Sequence, residues 1–429
     1  MSEASAVGNE SFSIADGQSL KRKLRKATGR ARTQALLMVA PLGLFILLTF
    51  IFPIGQMLFR SVDDPIVSQA LPKTIVALES WTDRTVLPEE EAFAALAEDL
   101  AFLRSGGSDG DGRAMIGKLA TRMNYETAGV RSTITKTARR AAKFEAPYKE
   151  AFIDADDNWG KPEVWATIDR LSGRFSALQF LAALDLQKNT MGEIIAQPPE
   201  RQIYITLWLR TLWIGFLVTA ICVVLAYPVS YLLATLPLRI SNLLIICVLL
   251  PFWTSLLVRT TSWIVVLGQN GVLLETLGFL GLVGEGAERP QLIYNMTGTI
   301  VAMTHILLPF MILPLYSVMK GISPSYMRAA RSLGANPALA FVKVYLPQTV
   351  PGLGAGCILV FILAIGYYIT PALVGGQDGQ LISNFIAYHM QRSLNWGLAA
   401  ALGTMLLAGV LALYWLYDRI VGINNMKLG

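Results

Sequence analysis

The chain has 429 residues, 53% hydrophobic and only 15% charged, with 36 lysines and arginines against 30 acids for a formal net charge of +6. Apolar content this high, gathered into runs long enough to cross a bilayer, excludes an ordinary soluble enzyme and points to a protein with several membrane spans. The three cysteines, Cys222, Cys247 and Cys357, all fall inside apolar runs with no pair or metal-ligand spacing, so neither a structural disulfide nor a metal centre is expected.

Residues 1–34 form a basic tail in which Lys21, Arg22, Lys23, Arg25, Lys26, Arg30 and Arg32 precede the first apolar run, 35–59. The positive-inside rule keeps such an end cytoplasmic. No aromatics interleave with these cations and a span follows at once, so nucleic acid is not an expected partner; the lipid bilayer is. The run is too long for the core of a signal peptide and lacks a small-x-small site near its end, so it reads as a retained anchor.

Residues 60–203 change character: charged, mildly acidic and without a spanning run, they read as an exported, largely helical insert long enough to fold as a domain. Helices are predicted over 89–103, 115–148 and 161–186, with SGGSDGDG (105–112) as a flexible linker. Trp159, Trp165, Ile168, Leu171, Phe175, Leu178 and Phe180 are its candidate core. Asp154, Asp156 and Asp157 lack EF-hand spacing and read as a solvated acidic turn.

A helix needs about 20 apolar residues to cross a bilayer. Besides 35–59, the runs 212–234, 243–267, 297–319, 353–374 and 396–417 qualify, giving six spans within a permease-like core over 204–420. Six crossings return the tail 421–429 to the cytoplasm. The loops agree, because Arg239, then Lys320, Arg328, Arg331 and Lys343, then Arg419 and Lys427 would all be cytoplasmic. Pro228, Pro251, Pro309, Pro314 and Pro371 fall in the spans, where each is expected to kink or break its helix. The fold class is therefore all-α integral membrane, with six kinked or broken spans.

The loop 320–350 carries the sharpest pattern: residues 323–352 read SPSYMRAARSLGANPALAFVKVYLPQTVPG. Ser323 suits a helix N-cap and Pro324 the first helical position. Tyr326, Ala329, Ala330 and Leu333 make one apolar stripe, with Arg328, Arg331 and Ser332 off it. Gly334 can end the helix in the left-handed conformation, Asn336-Pro337 restarts a helix, and Pro347 is expected to stop it. Two capped helices in one membrane-protein loop suit contact with a soluble partner.

Ala329-Ala330, Gly334, Ala335 and then Val344-Tyr345-Leu346-Pro347 resemble the "EAA" loop of binding-protein-dependent ABC importer permeases. Arg328 stands where that family usually has glutamate. The stretches at 251–273, 307–316 and 370–376 are similar to the spermidine/putrescine branch of these permeases, and the resemblance covers about 205–420 and the first span. It implies a subunit of the bacterial inner (cytoplasmic) membrane, paired with a second, different permease chain, two copies of an ATP-binding cassette ATPase and a periplasmic solute-binding protein. The loop would be the helix pair through which ATP binding moves the spans. The long insert departs from the family's usual short connection.

No GxxxxGK[ST] pattern occurs, so ATP would be bound by the partner ATPase and this chain carries no cofactor of its own. HExxH and a credible Ser/His/Asp set are also missing, so catalysis is not expected here. Candidate path residues are Arg259 and His305, polar at membrane depth, with Tyr227, Tyr231, Trp253, Trp263, Tyr367 and Tyr368 as faces for a cation. The spans hold no carboxylate, which keeps an anionic or zwitterionic solute open beside a polyamine. A secondary transporter working alone would need inverted repeats or a carboxylate relay.

Overall fold

A computed structural model describes residues 14–108, 110–284 and 289–419, with backbone alone for 14–27 and 30–31. Residues 1–13 of the basic tail, Asp109 of the expected linker, and the terminal segment with Lys427 lie outside the described residues. The chain divides into two units, Met1–Phe59 and Arg60–Gly429.

The first unit is one rod in its described part. Helix Ile14–Ile46 passes through a π-helical turn, Leu47–Ile51, into Phe52–Arg60 without a gap. Its apolar stretch, Arg32–Arg60, is long enough to span a bilayer.

In the second unit, helices Tyr204–Thr235, Met296–Gly321 and Leu346–Gly366 pack on one another around Ile214, Val218, Cys222, Met303, Leu307, Met311 and Val360. The four-residue steps 214, 218, 222 and 303, 307, 311 put one stripe of each helix inward. Lipid tails are as apolar as these side chains, so burial alone does not drive the contact and close approach must. Gly352 and Gly356 supply it. A Cβ on Gly352 would sit 2.8 Å from Val318 Cβ, and one on Gly356 would sit 2.6 Å from Met311 Sδ. Gly215 does the same for Ile365.

Among the described residues five helices are long and apolar enough to cross a membrane, the second-unit four being Pro199–Thr235, Met296–Gly321, Pro337–Gly366 and Trp396–Tyr417. The expected third span is a broken pair instead, Leu238–Trp253 and Leu256–Phe279, bent by 97°. Pro251 lies in the tight turn Leu250–Trp253 at this break, and the Ser255 side chain caps the second arm by accepting from Val258 N–H. Pro228, Pro309 and Pro314 instead lie inside unbroken helices. Neighbouring helices hold those rods where one backbone bond is lost. Pro371 sits in the first turn of Ile369–Val374, where its missing N–H has no helical partner to forgo.

The fifth span also differs from the expected 353–374. It begins at Pro337 and ends at Gly366, after which Tyr367 is extended and a separate short helix follows. Two hydrogen bonds fix that break: Ser383 Oγ donates to the Tyr367 carbonyl (2.6 Å) and Asn384 Nδ2 to that of Tyr368 (2.8 Å).

The insert has its own core, in which Phe93, Leu96, Leu100, Met123, Ile134, Phe152, Trp159, Trp165, Ile168 and Leu171 are buried. Trp159 Nε1 donates to Thr137 Oγ1 (2.8 Å), and Trp165 Nε1 to the Trp159 carbonyl (3.1 Å), so both buried indoles are satisfied. Leu178 joins this core, whereas Phe175 is 63% exposed, because it lies in an extended segment bridged to Asp63. Helices run Glu90–Ser105, Gly112–Glu126, Val130–Arg140, Tyr148–Ala155 and Pro162–Arg170, so the expected 115–148 helix is divided at Gly129, whose φ is 89°. Asp156 is a structural cap: its carboxylate accepts from Asn158 N–H and from Thr133 Oγ1. Burial alone would raise this carboxyl, but those bonds and Lys136 hold it below the usual carboxylate range.

A short antiparallel hairpin, Leu186–Lys188 with Ile194–Ala196, leads from the insert to the second span. Just before it, Asp185 adopts a left-handed conformation, φ 58°, and is buried. Its carboxylate accepts from the backbone N–H groups of Ile203, Tyr204 and Ile205 at 3.0, 3.0 and 2.7 Å. These are orphan donors at a helix start, where a negative charge also meets the positive end of the helix dipole. The insert is thus tied to the very residue from which the span begins.

Candidate functional site

The loop between the fourth and fifth spans is built as its residue types dictate. The Ser323 side chain accepts from Ser325 N–H, Pro324 opens helix Pro324–Ser332, and Gly334 takes φ 90°. Ala335 N–H donates to the Ala330 carbonyl (3.1 Å) and Gly334 N–H to that of Arg331 (3.0 Å), closing the helix with the paired bonds of a Schellman end. Asn336 then caps the next helix by accepting from Leu339 N–H at 2.7 Å.

Pro347 does not stop that helix. Pro337–Ala340 enters a π-helical turn, Phe341–Tyr345, and continues into Leu346–Gly366. In this wider turn the ladder is shifted, with Leu346 N–H bonded to the Phe341 carbonyl. Pro347 falls at the first turn after the shift, where a missing donor and a ring are tolerated. The second loop helix and the fifth span are consequently one rod, so a push at Pro337 reaches the span through backbone hydrogen bonds.

The apolar stripe of the first loop helix faces outward. Tyr326 is 54% and Leu333 88% exposed, Ala329 is exposed, and Ala330 and Ala335 are half-buried. Arg328 is exposed beside them. Met327, one position off the stripe, points inward and packs with Phe341, Tyr345, Tyr231, Leu315 and Met319. There the Tyr231 and Tyr345 rings meet edge-on at 5.4 Å and Phe341 stacks on Tyr345 at 5.6 Å. The helix is therefore held from within while presenting a contiguous apolar face outward.

The candidate path residues fall into separate groups. Tyr227 belongs with the loop's aromatic anchor: its ring lies 6.1 Å from Phe341 and its hydroxyl 3.2 Å from Thr349 Oγ1. Arg259, His305, Trp263 and Tyr367 form another group beyond the break of the third span. Trp263 Nε1 donates to His305 Nδ1 at 3.2 Å, and Arg259 is the charged neighbour of both His305 and Tyr367. Arg259 Nε and one terminal nitrogen are buried without a hydrogen-bond partner among the described residues. Trp253 stands at the break itself, 78% exposed, and Tyr368 is 40% exposed.

One arrangement has no local sequence signal. Tyr204 Oη bonds His389 Nε2 (2.8 Å), His389 Nδ1 bonds Ser393 Oγ (2.8 Å), and Tyr125 Oη donates to the Ser393 carbonyl (2.6 Å). This chain of contacts joins the start of the second span, the segment before the last span, and the insert. Burial pushes the His389 imidazole down to about 4, so it is neutral at physiological pH.

Residues 200–422 match the family model described as "Binding-protein-dependent transport system inner membrane component". The chain is 33% identical over 223 residues to the spermidine/putrescine transport system permease protein PotB of Escherichia coli (strain K12), covering 51% of this chain and 80% of that protein. It is 35% identical over 211 residues to PotB of Haemophilus influenzae, covering 49% and 72% respectively. A solved bacterial alginate ABC transporter in complex with its alginate pentasaccharide-bound periplasmic protein aligns at 15% identity with a TM-score of 0.44, covering 52% of this chain and 79% of that one. The family match begins where the insert ends, and takes in the broken third span, the capped loop and the Gly352/Gly356 contact. This chain belongs to the family of binding-protein-dependent ABC importer permeases of the inner membrane.

Proposed function

We propose that this chain is one of two different permease subunits of an importer for linear polyamines of the spermidine/putrescine class. It would work with two copies of an ATP-binding cassette ATPase and a periplasmic solute-binding protein. Both termini are cytoplasmic in this reading and the 60–203 insert is exported. The cargo assignment rests on the relatives named spermidine/putrescine permeases.

The observation that carries the mechanism is the outward apolar face of Tyr326, Ala329 and Leu333 on a helix anchored by Met327. Such a face suits an ATPase groove, with Arg328 on its rim reading a complementary acid. Closure of the ATPase dimer would press on this helix and on the Pro337 end of the continuous rod. The fifth span would carry the displacement to its glycine contacts with the fourth. Labelled spermidine uptake in cells lacking and then regaining the chain tests the cargo; restoration that requires an intact loop supports the reading, and uptake independent of the chain removes it.

Arg259 favours a second reading of the cargo. A cation with two buried nitrogens that have no hydrogen-bond partner among the described residues suits a solute that brings its own carboxylate.

A further inference from the structure

A cleft of about 1050 Å³ lies where the insert meets the segment leading into the last span. Arg60, Lys118, Arg131 and Arg392 line it, together with Asp63 and Asp64. Both carboxylates are already committed: Asp63 pairs with Arg174 at 2.8 Å, and Asp64 pairs with the buried Arg122. Arg122 also lines the cleft, paired with Asp64 and Glu126, whereas Arg60, Lys118, Arg131 and Arg392 have no carboxylate partner among the described residues. The cleft is therefore electropositive, and its walls hold no acid free to neutralise it.

Its position narrows the ligand. Arg60 is the last residue of the first apolar stretch, and Trp396 is the first of the last. The Arg60 guanidinium lies 6.0 Å from the centre of the Trp396 ring, and both residues line the cleft. Arginine and tryptophan at the ends of spans mark the headgroup layer of a bilayer. Those two residues would set one end of the cleft at headgroup depth, while Pro65, Ile66 and Leu394 add apolar lining. Cations gathered at that depth attract anionic lipid.

We propose that this cleft binds the phosphodiester headgroup of an anionic phospholipid, wedged between the insert and the start of the last span. Lys118, Arg131 and Arg392 would contact the phosphate, and Arg60 with Trp396 would border the glycerol. The shared chemistry with a free phosphate ion is the charge; the glycerol and acyl chains are what the location adds.

The test uses the full-length chain in nanodiscs of mixed phosphatidylglycerol and phosphatidylcholine, with retained lipid counted by native mass spectrometry. Wild type is expected to retain phosphatidylglycerol selectively. The triple variant Lys118→Gln, Arg131→Gln, Arg392→Gln should lose that preference by about fivefold for each removed charge. Arg139→Gln with Arg140→Gln, outside the cleft lining, should leave it unchanged. The three substituted side chains are exposed, so unchanged thermal unfolding checks that the triple variant folds. Equal retention by wild type and triple variant overturns the proposal. So does displacement of phosphatidylglycerol by inorganic phosphate, which would mark a soluble-anion site. Loss of binding-protein capture by the triple variant with lipid retention intact would assign the cleft to a protein partner and likewise overturn it.

Discussion

Tyr204 and His389, 185 residues apart, share a 2.8 Å hydrogen bond between the tyrosine Oη and imidazole Nε2. The bond closes the helix Ile382–Gln391 onto the first residue of helix Tyr204–Thr235, the residue whose N–H is also held by Asp185. Insert and permease core therefore meet at a hydrogen-bonded junction. A neutral imidazole satisfies it by using one nitrogen toward Tyr204 and the other toward Ser393.

That junction should be sensitive to acid. Burial pushes the folded imidazole down to about 4, below the ordinary histidine value of 6.5 expected for the unfolded chain. Above the unfolded value both states are neutral and the full contribution is present. As pH falls from there toward the folded value, the unfolded chain takes up the proton first and stability is lost. The loss is on the order of 3 kcal/mol across the window. Thermal unfolding at pH 7.5 and at pH 5 should show a drop that His389→Gln abolishes; an equal drop in that variant would place the acid sensitivity elsewhere.

Asp185 offers a charge-specific test of the same junction. Asp185→Ala leaves three helix-start N–H groups without their acceptor and should destabilise the protein by roughly 2 kcal/mol, at the upper end for a lost cap. Asp185→Asn should recover part of this, since an amide oxygen still accepts while the dipole interaction is lost. Unfolding midpoints of the three proteins would refute the capping role if Ala and wild type coincide.

Gly334 separates folding from coupling. No atom lies within 4 Å of a Cβ built there, so Gly334→Val meets no neighbour, but it must adopt φ 90°. The strain is roughly 1–2 kcal/mol for an ordinary side chain and greater for a β-branched one. The expected result is normal membrane insertion, reduced uptake, and ATP hydrolysis no longer stimulated by the loaded binding protein. Wild-type uptake by this variant would sink the coupling role of the loop.

Gly356→Leu addresses how the rod transmits movement. Its Cβ would displace the Met311 thioether and lie 3.3 Å from the Met311 carbonyl oxygen, and the rest of the leucine side chain would crowd the contact between the fourth and fifth spans. Overpacking of this kind typically costs about 1–3 kcal/mol. Uptake should fall while ATPase co-purification persists, because the loop helix lies outside the contact. Gly366→Leu, with no atom within 4 Å of its Cβ, is the matched control.

The spans were legible because a bilayer demands long apolar runs, and the loop because Ser323, Gly334 and Asn336 each carry a local backbone preference. Pro347 misled for the same reason. Its preference is to end a helix, and only the π-helical turn at Phe341–Tyr345 shifts the ladder enough to admit it. Gly352 and Gly356 drew no reading from the sequence, because their meaning depends on Val318 and Met311 across the contact. The Tyr204–His389 bond had no local trace at all. Two polar residues in distant segments show no periodicity, and only the packing of the spans brings them together.

Arg259 decides between the two readings of the cargo. If its unpartnered nitrogens meet a solute carboxylate, Arg259→Met should reduce uptake of a linear ω-amino acid more than tenfold while sparing putrescine. If the cargo is a polyamine, Arg259 is a positive charge that repels it, and the same substitution should leave putrescine uptake intact or raise it. Arg259→Lys keeps the charge but not the paired geometry, so a carboxylate contact predicts that lysine restores only part of the lost uptake. Competition assays with unlabelled putrescine and ω-amino acid on wild type and both variants read this out. Loss of putrescine uptake in Arg259→Met, with folding intact, would count against both accounts.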